Sequence, residues 1–235
     1  ALPISVIAED AELTFEAGRA DAIDAEKLGI VKAAGFNKLC INPQTLHDDT
    51  LKRVNRRHTV AELDLAYEAA RACGFESINM DLIAGLPGED EAMVAYSVEG
   101  LIERAPEAIT VHTLALKRSS QLHETKRVQA GGAPRPLTHA AEDPMVSTMV
   151  ASAHATLQDA GYLPYYLYRQ KMTKGGLENT GFALPGHESI YNVAMMSDQK
   201  EILALGAGAS SKRLRNGRVK RSYNKRGIKE YIAQY

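Results

Sequence analysis

The sequence predicts an α/β fold: parallel strands alternating with helices in an incomplete (β/α) barrel, followed by an α+β extension. Three observations carry that expectation. An amphipathic run ends at glycine three times, and an aromatic residue then leads into a short apolar run: Ala34-Gly35-Phe36, Cys73-Gly74-Phe75 and Ala160-Gly161-Tyr162. Glycine suits the left-handed position just past a helix end, so the phrase marks a repeated helix-to-strand junction. Capped helix starts stand between the strand-like runs, which is the alternation of βα units. Polar residues gather at the C-terminal ends of those runs: Glu16, Asn42, Gln44, Asp81, then His112 to Ala115. That rim is where barrel-like βα folds bind ligands.

Taken in order, strands are expected at 11–17, 38–42, 77–83, 109–115, 164–169 and 202–209, the first four parallel. Asp24 caps a helix that carries Leu28 and Val31 on one face. Thr59-Val60-Ala61-Glu62 is a capping box, and Leu63, Ala66, Tyr67 and Ala70 follow at helical spacing. Gly88-Glu89-Asp90-Glu91 opens another helix, its acids at the positive end of the dipole. Residues 140–160 form a fourth, entered through the Gly-Gly-Ala-Pro-Arg-Pro loop at 131–136. Asn216-Gly217 between Leu214-Arg215 and Arg218-Val219 is a two-residue hairpin signal. Tyr165, Tyr166 and Tyr168 read as strand residues, with core packing favoured over a ligand pocket.

A length of 235 residues fits one large domain or two small ones. No run approaches the ~18 apolar residues of a membrane span, and no basic-then-apolar leader opens the chain. A cytoplasmic protein is expected. Cys40 and Cys73 are too isolated for a disulfide framework or zinc site and read as buried thiols. No metal ligand set is assigned: His187-Glu188 reads as a helix start. Residues 212–230 hold nine Lys or Arg and one Glu, so +8 of a net −1 lies there and −9 elsewhere. A solvated hairpin explains these charges better than nucleic-acid binding, which would call for more stacking partners than Tyr223 and Tyr231. No GxSxG elbow or HExxH supports a hydrolase.

Glu16, Gln44, Arg56 and Asp81 facing one mouth would suit a ligand with hydroxyls, an amine and a carboxylate. The competing reading is that the acids satisfy backbone groups at strand ends. A longer set of phrases bears on this choice. Glu16-Ala17-Gly18-Arg19, Ile41-Asn42-Pro43-Gln44-Thr45, Asn55-Arg56-Arg57-His58-Thr59 and Asn79-Met80-Asp81-Leu82-Ile83-Ala84-Gly85-Leu86-Pro87-Gly88 come first. His112-Thr113-Leu114-Ala115, Leu177-Glu178-Asn179, Pro185-Gly186-His187-Glu188 and Leu205-Gly206-Ala207-Gly208-Ala209 follow. In this order they resemble the radical S-adenosylmethionine (SAM) oxygen-independent coproporphyrinogen III oxidase family, in its HemN/HemZ-like coproporphyrinogen dehydrogenase branch.

The resemblance implies a partial radical SAM barrel over 1–117, without its first strands and cluster loop. An oxidase-type extension would follow over 118–235, with a hairpin near 212–224. It implies that Glu16 binds the SAM ribose. Gln44, Arg56 and Asp81 would contact the ribose, carboxylate and adenosine side. The backbone around Ala115 would hold the adenine, approached by the turn from Gly206 to Ser210; Ser210 departs from the apolar residue common in relatives. A [4Fe-4S] cluster would complete the cofactor set, but its CxxxCxxC loop has no counterpart here. The chain therefore reads as a piece of a larger enzyme, inactive alone, with no catalytic residue assigned. In the whole enzyme, reductive cleavage of SAM would yield a radical that takes hydrogen from a propionate of coproporphyrinogen III. Loss of carbon dioxide and an electron then leaves a vinyl group in haem biosynthesis. An electron-donor protein is an implied partner. Lys117-Arg118, Arg169 and Lys171 are candidates for the substrate carboxylates. A haem carrier of the same superfamily, or a radical SAM enzyme with another substrate, are the alternatives.

Overall fold

The structure, a computed structural model, describes residues 7–8, 10–115, 143–168 and 176–233. It divides into two compact units, 1–188 and 189–235. In the first, β1 (Thr14–Gly18), α1 (Ala25–Ala33), β2 (Lys38–Gln44), α2 (Asp48–Arg53), α3 (Val60–Ala72) and β3 (Ser77–Ala84) follow one another. Next come α4 (Glu91–Glu103), β4 (Ala108–Thr113), α5 (Pro144–Asp159), β5 (Leu163–Tyr168) and β6 (Asn179–Ala183). The strands form one six-stranded sheet in the order β1-β2-β3-β4-β6-β5. The first four are parallel, as the sequence predicts. β6 enters antiparallel between β4 and β5.

Local chemistry explains the element boundaries. Asp24, Thr59, Asp90 and Asp143 each cap a helix by accepting a backbone N–H of its first turn. The Thr59–Glu62 capping box forms with both of its hydrogen bonds. At the end of α5, Gly161 N–H donates to the Gln158 carbonyl and Tyr162 N–H to the Leu157 carbonyl, with Gly161 at φ 89°. That is a Schellman turn, and α1 ends the same way through Gly35 and Phe36. Phe75 and Tyr162, the aromatics of two of the three Gly-aromatic junctions, are buried in the core.

The register sorts side chains onto two faces. Leu39, Ile41, Ile78, Met80, Leu82, Ile109, Val111 and Phe182 belong to one buried apolar core with Leu63, Val94, Val98, Leu101, Val146, Met149 and Leu157 from the helices. The opposite face carries Glu16, Cys40, Asn79, Asp81, Thr110, His112, Tyr166 and Tyr168, because successive strand residues alternate.

One strand expectation is corrected. Residues 203–209 are not a strand: Ile202 makes one isolated bridge to Lys212, and Gly206 and Gly208 turn the chain at positive φ. The run is apolar enough to look like a buried strand, but its glycines adopt the conformations of a turn. The sixth strand is instead Asn179–Ala183, buried along its whole length. Its Asn and Gly disguise it. Gly181 is required there, since a Cβ would collide with the Tyr166 ring. Cys73 is only partly buried, because it caps the C-terminal end of α3. The expected boundary at 117/118 and the 131–136 loop lie outside the described residues, and the sheet draws β5 and β6 from beyond that boundary.

The second unit holds α6 (Ile190–Met196), β7 (Ser210–Arg215), β8 (Arg218–Tyr223) and α7 (Ile228–Ile232). β7 and β8 form the expected hairpin, with Asn216 and Gly217 at φ 51° and 70°. Among the described residues, no helix is long and apolar enough to cross a membrane.

Candidate functional site

The polar sheet face is the candidate site. Glu16 lies in β1 opposite Cys40 of β2, which pairs with Asn79 of β3. The Cys40 thiol lies 3.1 Å from Asn79 Nδ2 and 3.3 Å from Asn42 Oδ1, and it also meets the Glu16 carboxyl. Burial, then the charges of Asp81 and Glu16, push this thiol well above its usual range, so it is an inert group beneath two acids. The Glu16 carboxyl is itself raised, first by desolvation and then by Asp81. Asp81 Oδ1 accepts from Asn79 Nδ2 at 2.8 Å, and Oδ2 lies 3.5 Å from His112 Nε2.

β2 ends in an irregular register between Ile41 and Gln44. Gln44 is buried in left-handed backbone at φ 73°, a strained conformation for a residue with a side chain. The next residue, Thr45, donates to buried Glu89 at 2.5 Å, which ties the end of β2 to the loop after β3. Such irregularities beside sites re-aim side chains.

Arg56 is placed by the end of α2. Asn55 at φ 59° donates to the Lys52 carbonyl, and Arg56 N–H donates to the Leu51 carbonyl at 2.8 Å. This is a Schellman turn with Asn in the left-handed position, and Arg56 is the residue it projects. Among the described residues, no side chain or carbonyl accepts from the Arg56 guanidinium. Desolvation, then Arg19, lower its pKa, while Asp21 and Asp81 act the other way. A half-buried guanidinium without an acceptor is set up for an anion. Beside it, His58 is buried with neither ring nitrogen in hydrogen-bonding geometry, although the Pro43 carbonyl is near. Desolvation lowers its pKa.

The structure thus brings both Glu16 and Arg56 within electrostatic reach of Asp81. Gln44 stands at the end of β2, paired with Leu82. Ala115 lies two residues past β4, beyond Leu114, whose N–H donates to the Ala84 carbonyl. Ser210 opens β7 in the second unit, opposite Tyr223. Lys117, Arg118, Arg169 and Lys171 lie outside the described residues. Cys40, Asn79 and Thr110 were not singled out by sequence reasoning, and His112 was named only as a rim residue with no role. The signal was there, since polar residues recur at every second position of β3 and β4, where a wholly buried parallel strand would be apolar throughout. The tyrosines of β5 are not core: Tyr166 is half-buried on the polar face and bonded to Thr110, and burial raises its phenol. Among the described residues, no group of three His, Cys, Asp or Glu could hold a metal ion.

The sequence pattern of the Radical SAM superfamily matches residues 7–99, which span β1 to most of α4. Over 202 residues the chain is 42% identical to the oxygen-independent coproporphyrinogen-III oxidase-like protein HemZ of Bacillus subtilis, covering 86% of this chain and 38% of that protein. The chain belongs to the radical SAM superfamily. Its family implies SAM and a [4Fe-4S] cluster as cofactors. The heme chaperone HemW of Bacillus subtilis is 29% identical over 192 residues, covering 80% of this chain and 45% of HemW. This radical SAM chain therefore spans less than half the length of these curated relatives. Among solved structures, coproporphyrinogen III oxidase HemN of Escherichia coli matches with a TM-score of 0.67 at 21% identity. The match covers 96% of this chain and 49% of HemN and shows a shared fold.

The donor set fits SAM. One desolvated cation without an acceptor and two acids on the same face complement a ligand that carries a carboxylate, an amine and ribose hydroxyls. It does not fit the cluster, because the chain's two cysteines lie 33 positions apart and only Cys40 is on this face.

Proposed function

We propose that this chain is the SAM-holding part of a radical SAM oxidoreductase of the oxygen-independent coproporphyrinogen III oxidase type, with its cluster bound by residues other than those described. The observation that carries the reading is the partnerless, desolvated Arg56 within reach of Asp81, which also acts on Glu16. Arg56 receives the SAM carboxylate in a charge-assisted pair. Glu16 accepts hydrogen bonds from the ribose hydroxyls, and Asp81 and Gln44 accept from the remaining polar groups. The backbone around Ala115 lies beside the adenine. When bound together, SAM and the cluster supply the radical that abstracts hydrogen from the substrate. The chain's own residues orient SAM and keep its charged end out of water. The substrate is a tetrapyrrole carrying propionates, and an electron-donor protein supplies the reducing equivalent.

The test uses a protein joining this chain to a CxxxCxxC segment, reconstituted anaerobically with iron and sulfide. Deoxyadenosine and carbon dioxide are measured with and without coproporphyrinogen III. Formation of both with the tetrapyrrole supports the reading, and Arg56→Ala should then weaken SAM use at least about tenfold. SAM cleavage that leaves coproporphyrinogen intact overturns the substrate. The similarity to HemW favours a second reading, a haem carrier. Specific absorbance change on haem titration, with no coproporphyrinogen turnover, would select it.

A further inference from the structure

The polar face contains a closed set of contacts that reaches from β3 to the edge strand β5. Asp81 Oδ1 is held by Asn79 Nδ2 at 2.8 Å. Asn79 is held in turn, because its Oδ1 accepts from the Thr110 hydroxyl at 3.0 Å. On the other side, Asp81 Oδ2 faces His112 Nε2 at 3.5 Å, and His112 Nδ1 lies 3.2 Å from the Tyr168 hydroxyl. The His112 and Tyr168 rings also meet edge-on, with centroids 6.1 Å apart and planes at 75°. Both acidic and imidazole side chains remain reachable from solvent, at 14% and 21% exposure.

We propose that His112 is a positioning residue for the Asp81 carboxylate and that Tyr168 fixes the imidazole behind it, so that β5 supports the SAM site. The inference rests on the reading of Asp81 as a SAM contact. A carboxylate only accepts, so the ring nitrogen turned toward it carries the proton. Nδ1 is then the acceptor, and the Tyr168 hydroxyl donates to it. Each Asp81 oxygen thus faces a side chain that a further side chain orients, an arrangement that holds a ligand-binding carboxylate in one rotamer. His112 is opposite Ile83, two residues beyond the Asp81–Thr110 pair and so on the same face, and the sheet itself sets the spacing.

Two measurements on this chain test the proposal. Ring 15N shifts of His112 report its tautomer: Nε2–H is expected, with Tyr168→Phe raising the Nδ1–H population. Equilibrium dialysis with SAM gives affinities. His112→Phe should weaken binding about tenfold, the worth of one charge-assisted contact. His112→Gln, which keeps an N–H donor, should stay within about threefold. An Nδ1–H tautomer in the unaltered chain overturns the proposal. So does full SAM affinity in His112→Phe alongside its loss in Asp81→Asn, an outcome that leaves the SAM reading standing. Unchanged affinity in Asp81→Asn overturns that reading, and the positioning role falls with it.

Discussion

Glu16 is held beside a second carboxyl and partly desolvated, so its ionisation works against the fold. Its folded pKa lies above the ordinary 4.5. The stability it contributes is therefore fully present below that value and is lost as pH rises through the folded value. Glu16→Gln should raise the thermal midpoint at pH 7 and leave it nearly unchanged below pH 4.5. The same change should weaken SAM binding about tenfold, since the amide accepts hydroxyls without a charge. A thermal scan at both pH values and a SAM titration check the two halves. Glu16, Gln44, Arg56 and Asp81 were legible in the sequence as polar residues on a strand-end rim. The links among Cys40, Asn79, Asp81 and His112 were not, because each joins residues on different strands and only the register puts them opposite one another.

At the scale of elements, the Schellman turn after α2 does the placing of Arg56. Asn tolerates the left-handed position that Ala resists. Asn55→Ala should cost about 1 kcal/mol in urea unfolding and lower SAM affinity, because Arg56 is the next residue. Asn55→Gly should retain both, and a titration that shows the two variants alike would separate Arg56 placement from this turn. The three Gly-aromatic junctions were legible because a glycine in the left-handed position past a helix end is written in local sequence. β6 was not, because it is wedged between β5 and a β4 that lies about 70 positions away, and its glycine serves the Tyr166 ring rather than a turn.

Across the whole molecule, two units carry different liabilities. In the first, His58 is buried with both ring nitrogens unbonded, half-buried His154 keeps a buried, unbonded Nε2, and desolvation lowers both pKa values from the ordinary 6.5. The unfolded chain then takes up protons first as pH falls through that value, so stability is held above it and declines below it. The urea midpoint should fall between pH 7.5 and pH 5.5, and His154→Leu should flatten part of that slope. In the second unit, Lys212 is 1% exposed, and its ammonium donates to the carbonyls of Ala194, Met195 and Ser197 at the end of α6. Lys212→Met keeps the bulk but leaves those carbonyls unpaired, which should cost about 2–3 kcal/mol. Hydrogen exchange should show lost protection within 189–233 while β1 to β4 keep theirs. The sequence count assigned Lys212 to a solvated basic hairpin. The fold shows that its charge is structural, whereas Arg213, Arg215, Arg218, Lys220 and Arg221 are the exposed ones of the hairpin.

The sequence by itself determined what short-range chemistry can write. Helix caps, Gly-aromatic exits, the Asn-Gly hairpin and the alternation of helices with the first four strands follow from a few neighbouring residues each. Tertiary structure decided the rest. It slipped an antiparallel strand between β4 and β5, turned an apolar run into a bend, buried a lysine, and left Arg56 desolvated without an acceptor beside two acids. The physical reason is the same in each case: burial and charge depend on which distant residues become neighbours, and only the assembled sheet sets that.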